Sequence, residues 1–320
     1  MMGDQVFLSL NDERSEFYRW SGDHLAQVAI ERKGEGSPLG AIYLGRVLRI
    51  EPSLNAAFVE IGLDRPGLLP IKKQGAQPSE GDAVIVQVRR EGREEKGVRL
   101  SASLRTLVDT TALAKGKQAP ALLVPAPALW QSALEKLAPE QIESITCDRR
   151  VDVAPITDWC RRHRPGMEGK VAFLAERDWV PSRADINDAV AEALEETVLL
   201  PGGGQLLIEP VRTLTAIDVN SASATAEKGI ERTALAVNLA AAREIPRQLA
   251  LRNLGGIIVI DFIDLENRNK REQVLSTLRE AVGIDPAIEW VGNMSRLGLV
   301  ELLRRRTGPT LQEMWQARHG

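Results

Sequence analysis

Residues 211–220 read VRTLTAIDVN, and residues 255–264 read GGIIVIDFID. Each contains an apolar run that ends in an aspartate, Asp218 in the first and Asp261 in the second. The second run is apolar throughout, the pattern of a buried central strand. Between them, Ile230, Ala234, Val237, Ala241, Ile245 and Leu249 recur at helical spacing within residues 226–252. Pro246 is expected to kink or divide that helix. REQVLSTLREAV (271–282) reads as a second amphipathic helix. Strand, helix, strand, helix is a βαβ arrangement, so this half of the chain reads as α/β. WVGNMSRLGLVELLRRR (290–306) is expected to close it with a strand, a turn and a helix.

The two aspartates carry the chemistry. Ligands of α/β sheets gather at the carboxyl ends of strands. Two neighbouring strands ending in carboxylates bring negative oxygens together, which is costly unless a cation or a proton lies between them. Mg2+ takes one or two carboxylates together with waters and phosphate oxygens. Such an ion activates water and stabilises charge on a phosphoryl group. Asn220, two residues beyond Asp218, faces the same side of an extended strand and offers a carboxamide to an attacking water or a phosphate oxygen. Asp264 lies three residues beyond Asp261, placed to support the pair. An aspartate at a strand end also serves as a helix cap or turn former. The pattern alone leaves both readings open.

Upstream, LPGGGQLLIE (200–209) is a glycine turn feeding a strand. SRADINDAVAEALEETV (182–198) is a helix with Ser182 or Asp185 as N-cap. Residues 104–199 are less legible. A Pro/Ala-rich stretch surrounds the apolar LLV of 122–124. SALEKLAPEQIESI (132–145) looks helical with an interruption at Pro139, and RPGMEGKVAF (164–173) looks like a turn and a strand.

Residues 41–103 change character, with AIYLGRVLRI, AAFVEIG, RPGLLP, DAVIVQVRR and GVRLSAS separated by Gly-containing turns. Five short strands at this spacing indicate a small closed β-barrel of the OB type. Ala57, Val59 and Ile61 share one face of their strand, and Phe58 and Glu60 the other. A large aromatic on the polar face suits base stacking. Packing of Phe58 against a neighbouring domain fits the same pattern. KGEGSPLG (33–40) separates this region from three further strands, QVFLSLN, EFYRW and HLAQVAIE.

The 320 residues suit two or three domains. The formal net charge of −3 argues against bulk attraction to nucleic acid but allows local basic surfaces. Two basic clusters stand out: Arg89, Arg90, Arg93, Lys96 and Arg99, and Arg296, Arg304, Arg305 and Arg306. No apolar run is long enough to span a bilayer, and no signal peptide opens the chain, so membrane insertion and secretion are not expected. Cys147 and Cys160 form no CxxC pair, and His24, His163 and His319 are scattered, so no zinc site is expected. Two thiols in a reducing cytoplasm is the simplest reading.

The strings LTAIDVNSASAT (214–225), LRNLGGIIVIDFIDL (251–265) and MSRLGLVELLRRRTGPTL (294–311) resemble the catalytic segment of the ribonuclease E/G family. AIYLGRVLRIEPSLNAAFVEIGLDRPGLLP (41–70) resembles that family's RNA-binding barrel. The resemblance implies an α/β (α+β) multidomain fold. The N-terminal strands and a later segment would form an RNase H-like element with the OB-type barrel inserted into it, and the nuclease half would be deoxyribonuclease-I-like. The expected segments are 1–37 for N-terminal strands of the RNase H-like element, 38–104 for the barrel, 105–184 for a reduced sensor-like region with the return to the RNase H-like element, and 185–320 for the catalytic domain. It further implies Mg2+ on Asp218 and Asp261, with Mn2+ as a substitute, and Asn220 assisting the nucleophilic water. The implied reaction is cleavage within single-stranded RNA that leaves 5′-phosphate and 3′-hydroxyl ends. Phe58 and Lys96 match RNA-contacting positions of the barrel, and Arg89 and Arg296 represent the two basic clusters.

Departures from the family pattern are specific. Leu68 replaces a second aromatic. Pro125 and Ala126 stand where a 5′-end sensor carries Arg-Thr, and neither side chain offers a donor. Ile288 stands where a basic residue is usual. The sequence ends at Gly320 without the CxxC link, so a monomer or dimer is expected rather than a zinc-linked tetramer. An RNA-binding protein with a weak or vestigial nuclease site is the alternative, and a deoxyribonuclease a third.

Overall fold

The computed structural model describes residues 3–32, 34, 36–71, 77–92, 97–105, 108–221 and 229–319. Lys96 and Arg93 lie outside the described residues. The chain divides into two units, one of Met1–Arg32 with Glu135–Gly320 and one of Lys33–Leu134.

The first unit begins with the antiparallel strands β1 (Asp4–Leu10), β2 (Arg14–Ser21) and β3 (His24–Arg32).

The second unit holds β4 (Ile42–Glu51), β5 (Ala56–Glu60), β6 (Gly67–Pro70), β7 (Ala83–Arg90) and β8 (Arg99–Ser101). The helix α1 (Thr110–Ala114), strand β9 (Ala121–Val124) and helix α2 (Leu129–Leu134) follow. Strand β4 pairs with both β5 and β7, and the order β4-β5-β6-β8-β7 returns to β4, which closes a five-stranded barrel. All its pairings are antiparallel except β6 with β8, an arrangement consistent with an OB-type fold. Val47, Ala57, Val59, Ile61, Val86 and Val88 fill the interior, as their alternation along the strands requires. The LLV stretch forms β9, which pairs with the outer side of β4 and covers Ile42 and Leu44 with Leu123. Gln87 is buried outside the barrel wall, where its carboxamide donates to the Gly40 carbonyl at 2.9 Å and accepts from the Arg105 amide at 2.8 Å.

The first unit resumes with β10 (Ile142–Cys147), α3 (Arg150–His163), β11 (Val171–Phe173) and α4 (Arg183–Leu194). Among the described residues β3-β2-β1-β10-β11 forms one sheet, with β10 parallel to β1 and to β11. The end of SALEKLAPEQIESI is therefore strand, not helix. Ser182 caps α4 in a reciprocal capping box with Asp185, and the helix ends at Leu194 rather than at 198.

The remainder forms β12 (Thr197–Leu199), β13 (Gln205–Pro210), β14 (Leu214–Asn220), α5 (Ile230–Leu251), β15 (Gly256–Asp261), α6 (Arg268–Val282), β16 (Ile288–Val291), β17 (Leu299–Arg304) and α7 (Leu311–His319). The sheet order is β12-β13-β14-β15-β17-β16. Strands β14 and β15 are parallel and joined through α5, which runs unbroken through Pro246. One face of the sheet buries Ile217, Val219, Ile258, Ile260, Val300 and Leu302 against Ala241, Ile245, Leu249, Val274 and Leu278 of α5 and α6. Where sequence spacing suggested a closing helix, β17 is a strand that pairs antiparallel with β15. No helix among the described residues is long and apolar enough to cross a membrane.

Candidate functional site

Asp218 and Asp261 are register partners across β14 and β15. Parallel strands lie about 4.8 Å apart, so both carboxylates leave the same face of the sheet at its carboxyl end. Asn220, one strand repeat further, points the same way, and its Nδ2 donates to Asp218 Oδ2 at 2.5 Å. All three lie on the face opposite α5 and α6: Asp218 and Asn220 are half-buried and Asp261 is exposed. Partial burial, followed by the negative charges of Asp218 and Asp264, raises the Asp261 carboxyl above the ordinary carboxylate value. A cation at the pair would relieve that repulsion. No group of three or more His, Cys, Asp or Glu side chains poised for a metal exists among the described residues. A two-carboxylate site fits Mg2+, which keeps several waters, better than a metal that needs a full protein cage.

The turn beyond Asp261 is held by a residue that the sequence did not advertise. Asn238 of α5 is fully buried. Its Nδ2 donates to the Ile263 carbonyl at 2.8 Å and its Oδ1 accepts from the Ile263 amide at 3.0 Å. Both polar groups of one peptide are thus satisfied, and the path from Asp261 to Asp264 is fixed. A polar residue in the apolar stripe between Ala234 and Ala241 was the available signal. The loop from β16 to β17 closes on the same turn. Gly298 has φ +81°, and a Cβ there would lie 3.1 Å from the Phe262 carbonyl oxygen and 3.5 Å from Asp264 Oδ1. Ser295 Oγ accepts from the amides of Leu297 and Leu299. This loop carries Arg296, exposed, to the end of the sheet where Asp261 faces Leu299.

Arg304 is not available to a ligand. It is buried, its Nε donates to Asp285 Oδ2 at 2.7 Å, and its Nη1 donates to the Leu254 carbonyl. Ile288 packs against the sheet core opposite Arg304. Of the second basic cluster, the exposed members are Arg296, Arg305 and Arg306.

In the barrel, one row of register partners runs Arg49–Phe58–Leu68–Arg99–Arg90. The Arg49 guanidinium carbon lies 4.9 Å from the Phe58 ring centroid. Phe58 and Leu68 are half-buried, and the three arginines are exposed. Arg89 is engaged within the barrel unit, where its Nη2 donates to the Ser103 carbonyl at 2.7 Å. Burial and the nearby charge of Arg105 lower its pKa. Pro125 and Ala126 follow β9 directly.

The model of the ribonuclease E/G family matches residues 70–307. The chain belongs to the ribonuclease E/G family. Ribonuclease E of Escherichia coli (strain K12) is 32% identical over 91% of this chain and 36% of its own length. Ribonuclease E of Haemophilus influenzae is 31% identical over 91% of this chain and 40% of its own length. Ribonuclease G of Escherichia coli (strain K12) is 26% identical over 92% of this chain and 78% of its own length. The chain thus spans well under half the length of the ribonuclease E relatives it matches, and most of that of ribonuclease G. Within this ribonuclease E/G family member, both aspartates and Asn220 fall inside the matched residues, whereas Phe58 precedes them.

Proposed function

We propose that this chain is a Mg2+-dependent endoribonuclease that cuts single-stranded RNA and leaves 5′-phosphate and 3′-hydroxyl ends. The observation that carries the proposal is the register pairing of Asp218 with Asp261, with Asn220 beside them on the open sheet face. The names of the relatives, ribonuclease E and ribonuclease G, support the substrate class. Asp218 and Asp261 would hold the ion, and Mn2+ would serve in its place. When bound, Mg2+ supplies a polarised water and charge stabilisation for a phosphoryl group. Asp218 and Asn220 orient the site through their mutual hydrogen bond, and the second proton of the Asn220 carboxamide remains to direct a water or a phosphate oxygen. Asp264 supports Asp261 from the Asn238-held turn. Arg296 answers phosphate charge at the same strand ends.

The barrel would hold the RNA. Phe58 offers a ring to a base, and Arg49, Arg90 and Arg99 offer charge to phosphates. The order β3-β2-β1-β10-β11 supports reading the N-terminal sheet as an RNase H-like element, and the helix-backed sheet of β12 to β17 supports a deoxyribonuclease-I-like one. A cytoplasmic location accords with two free, buried cysteines.

The second reading, an RNA-binding protein with weak cleavage, is favoured by the aliphatic Leu68 opposite Phe58 and by Pro125 and Ala126, which give a 5′-phosphate no side-chain donor. A labelled RNA oligomer incubated with Mg2+ and with EDTA separates the readings. Internal cuts with 5′-phosphates that require the metal support the enzyme. Binding without cuts supports the alternative. A DNA oligomer cut equally well would point to a deoxyribonuclease.

A further inference from the structure

The open face of the β12–β17 sheet carries an apolar row distinct from the carboxylates. Leu214, Ile257, Leu303 and Trp290 are register partners across β14, β15, β17 and β16. Ile257, Leu303 and Trp290 are 53%, 37% and 52% exposed. A tryptophan left half in water forgoes a large burial gain, and exposed apolar groups in a contiguous row mark a contact surface.

A bulge puts the indole there. The pairing of β16 with β17 slips between Ile288 and Trp290. Ile288 and Val291 pack against the core. In a regular strand Trp290 would share the inward face of Ile288. The extra residue, Glu289, turns it outward instead. Bulges of this kind re-aim side chains beside active sites. The ring then folds forward along the strand, because a Cβ on Gly292 would lie 2.8 Å from its Cη2. Both β15 and β16 run antiparallel to β17, so forward means toward the strand ends that carry Asp261. Two strand spacings sideways and about two residues along place the indole about 12 Å from that carboxylate.

We infer that Trp290 is a stacking platform for a base of the single-stranded RNA whose backbone crosses Asp218 and Asp261. The inference rests on the nuclease reading of those two residues. The occupant must be thin. A protein partner laid flat on this face would cover the carboxylates, which share it. A single base stacked on the edge strand leaves them open. Every base has a π-face, so the platform is sequence-tolerant.

The test compares the wild-type chain with Trp290→Ala and Trp290→Phe. The affinity of a labelled single-stranded RNA oligomer is measured by anisotropy in EDTA, and KM for its cleavage is measured in Mg2+. Sedimentation runs in parallel. Trp290→Ala is expected to weaken binding about 5- to 150-fold and to raise KM in parallel, the range of one lost base stack. Trp290→Phe is expected to recover most of the loss. Wild-type cleavage with unchanged binding by Trp290→Ala would overturn the platform alone. Binding that depends on Trp290 in a chain that never cuts RNA would defeat the nuclease reading and keep the platform. A wild-type dimer dissociated by Trp290→Ala would assign the face to a second copy and overturn the inference, as would wild-type protein that fails to bind RNA.

Discussion

Asp218 and Asp261 face each other across two parallel strands joined through one helix, although 43 residues separate them in sequence. The pairing follows from the βαβ unit. From the register partners Leu214 and Ile257, four residues along each strand lead to Asp218 and Asp261, so the two carboxylates stand at the same level. The cost of that juxtaposition appears as the raised Asp261 pKa, in which burial is the largest cause and the charges of Asp218 and Asp264 follow. Three features hold the pair in place: the Asn220 hydrogen bond, the Asn238 clamp on Ile263, and the close approach of Gly298.

Asn238→Ala should therefore damage both stability and activity. It leaves the Ile263 amide and carbonyl without their partners in a buried setting, at a cost of about 1–3 kcal/mol. A lowered denaturant midpoint with unchanged slope would register the loss. RNA cleavage should fall as the Asp261–Asp264 turn loosens. Wild-type stability in this variant would mean that the clamp carries no load.

Gly298→Ala is expected to act at the same turn from the other side. The left-handed backbone at φ +81° and the 3.1 Å approach to the Phe262 carbonyl both resist a Cβ. The conformational penalty alone is about 1–2 kcal/mol. Thermal melting checks the stability loss. An undiminished melting temperature would show that the loop relaxes freely.

Phe58→Ala should cost about 1–3 kcal/mol of RNA affinity if its ring stacks on a base. Leu68→Phe, directly opposite in register, should tighten binding by presenting a second ring. Both are read by titration with a single-stranded oligomer. Affinity should also fall with rising salt if Arg49, Arg90 and Arg99 contact phosphates as proposed. An affinity indifferent to Phe58 would place the ring in a structural contact.

Cys147 and Cys160 should resist alkylation in the native protein and react on unfolding. Burial, followed by Asp152 and Asp148, pushes the Cys147 thiol up to about 11, and burial, followed by Glu168, does the same for Cys160. The unfolded chain releases these protons above about pH 8.5, while the native state keeps them to about pH 11. Stability should thus fall as pH rises through that window. Rapid native labelling would contradict the buried assignment.

The sequence made the barrel and the βαβ unit legible because their apolar runs are long, regular and bounded by glycine. Strand β17 was misread because Leu299, Leu302 and Leu303 also suit a helix. The polar Arg304 hid the alternation that buries Val300, Leu302 and Arg304 together, since its burial depends on Asp285, far away in sequence. Strand β10 was obscured in the same way by the helix-like spacing before Pro139. Its place is set by pairing with β1, a contact across more than a hundred residues. Helices α3 and α7 were not anticipated, because Pro155 interrupts the pattern of α3, and α7 is short and weakly amphipathic. Asp218, Asn220 and Asp261 were visible because each stands at the end of an apolar strand. Asn238 and Trp290 were not, because one depends on a loop that it clamps and the other on a bulge.

The measurement that tests the account most directly is cleavage and binding of one labelled single-stranded RNA oligomer by the wild-type chain and by the Asp218→Asn/Asp261→Asn double variant, with Mg2+ present. Internal cuts are expected from the wild type, with a fall in the variant of about a hundredfold or more, equivalent to roughly 3 kcal/mol of lost charge stabilisation, and RNA affinity that is retained. Cleavage that survives both substitutions, or a wild type that binds RNA and never cuts it, would contradict the assignment of the reaction to this carboxylate pair.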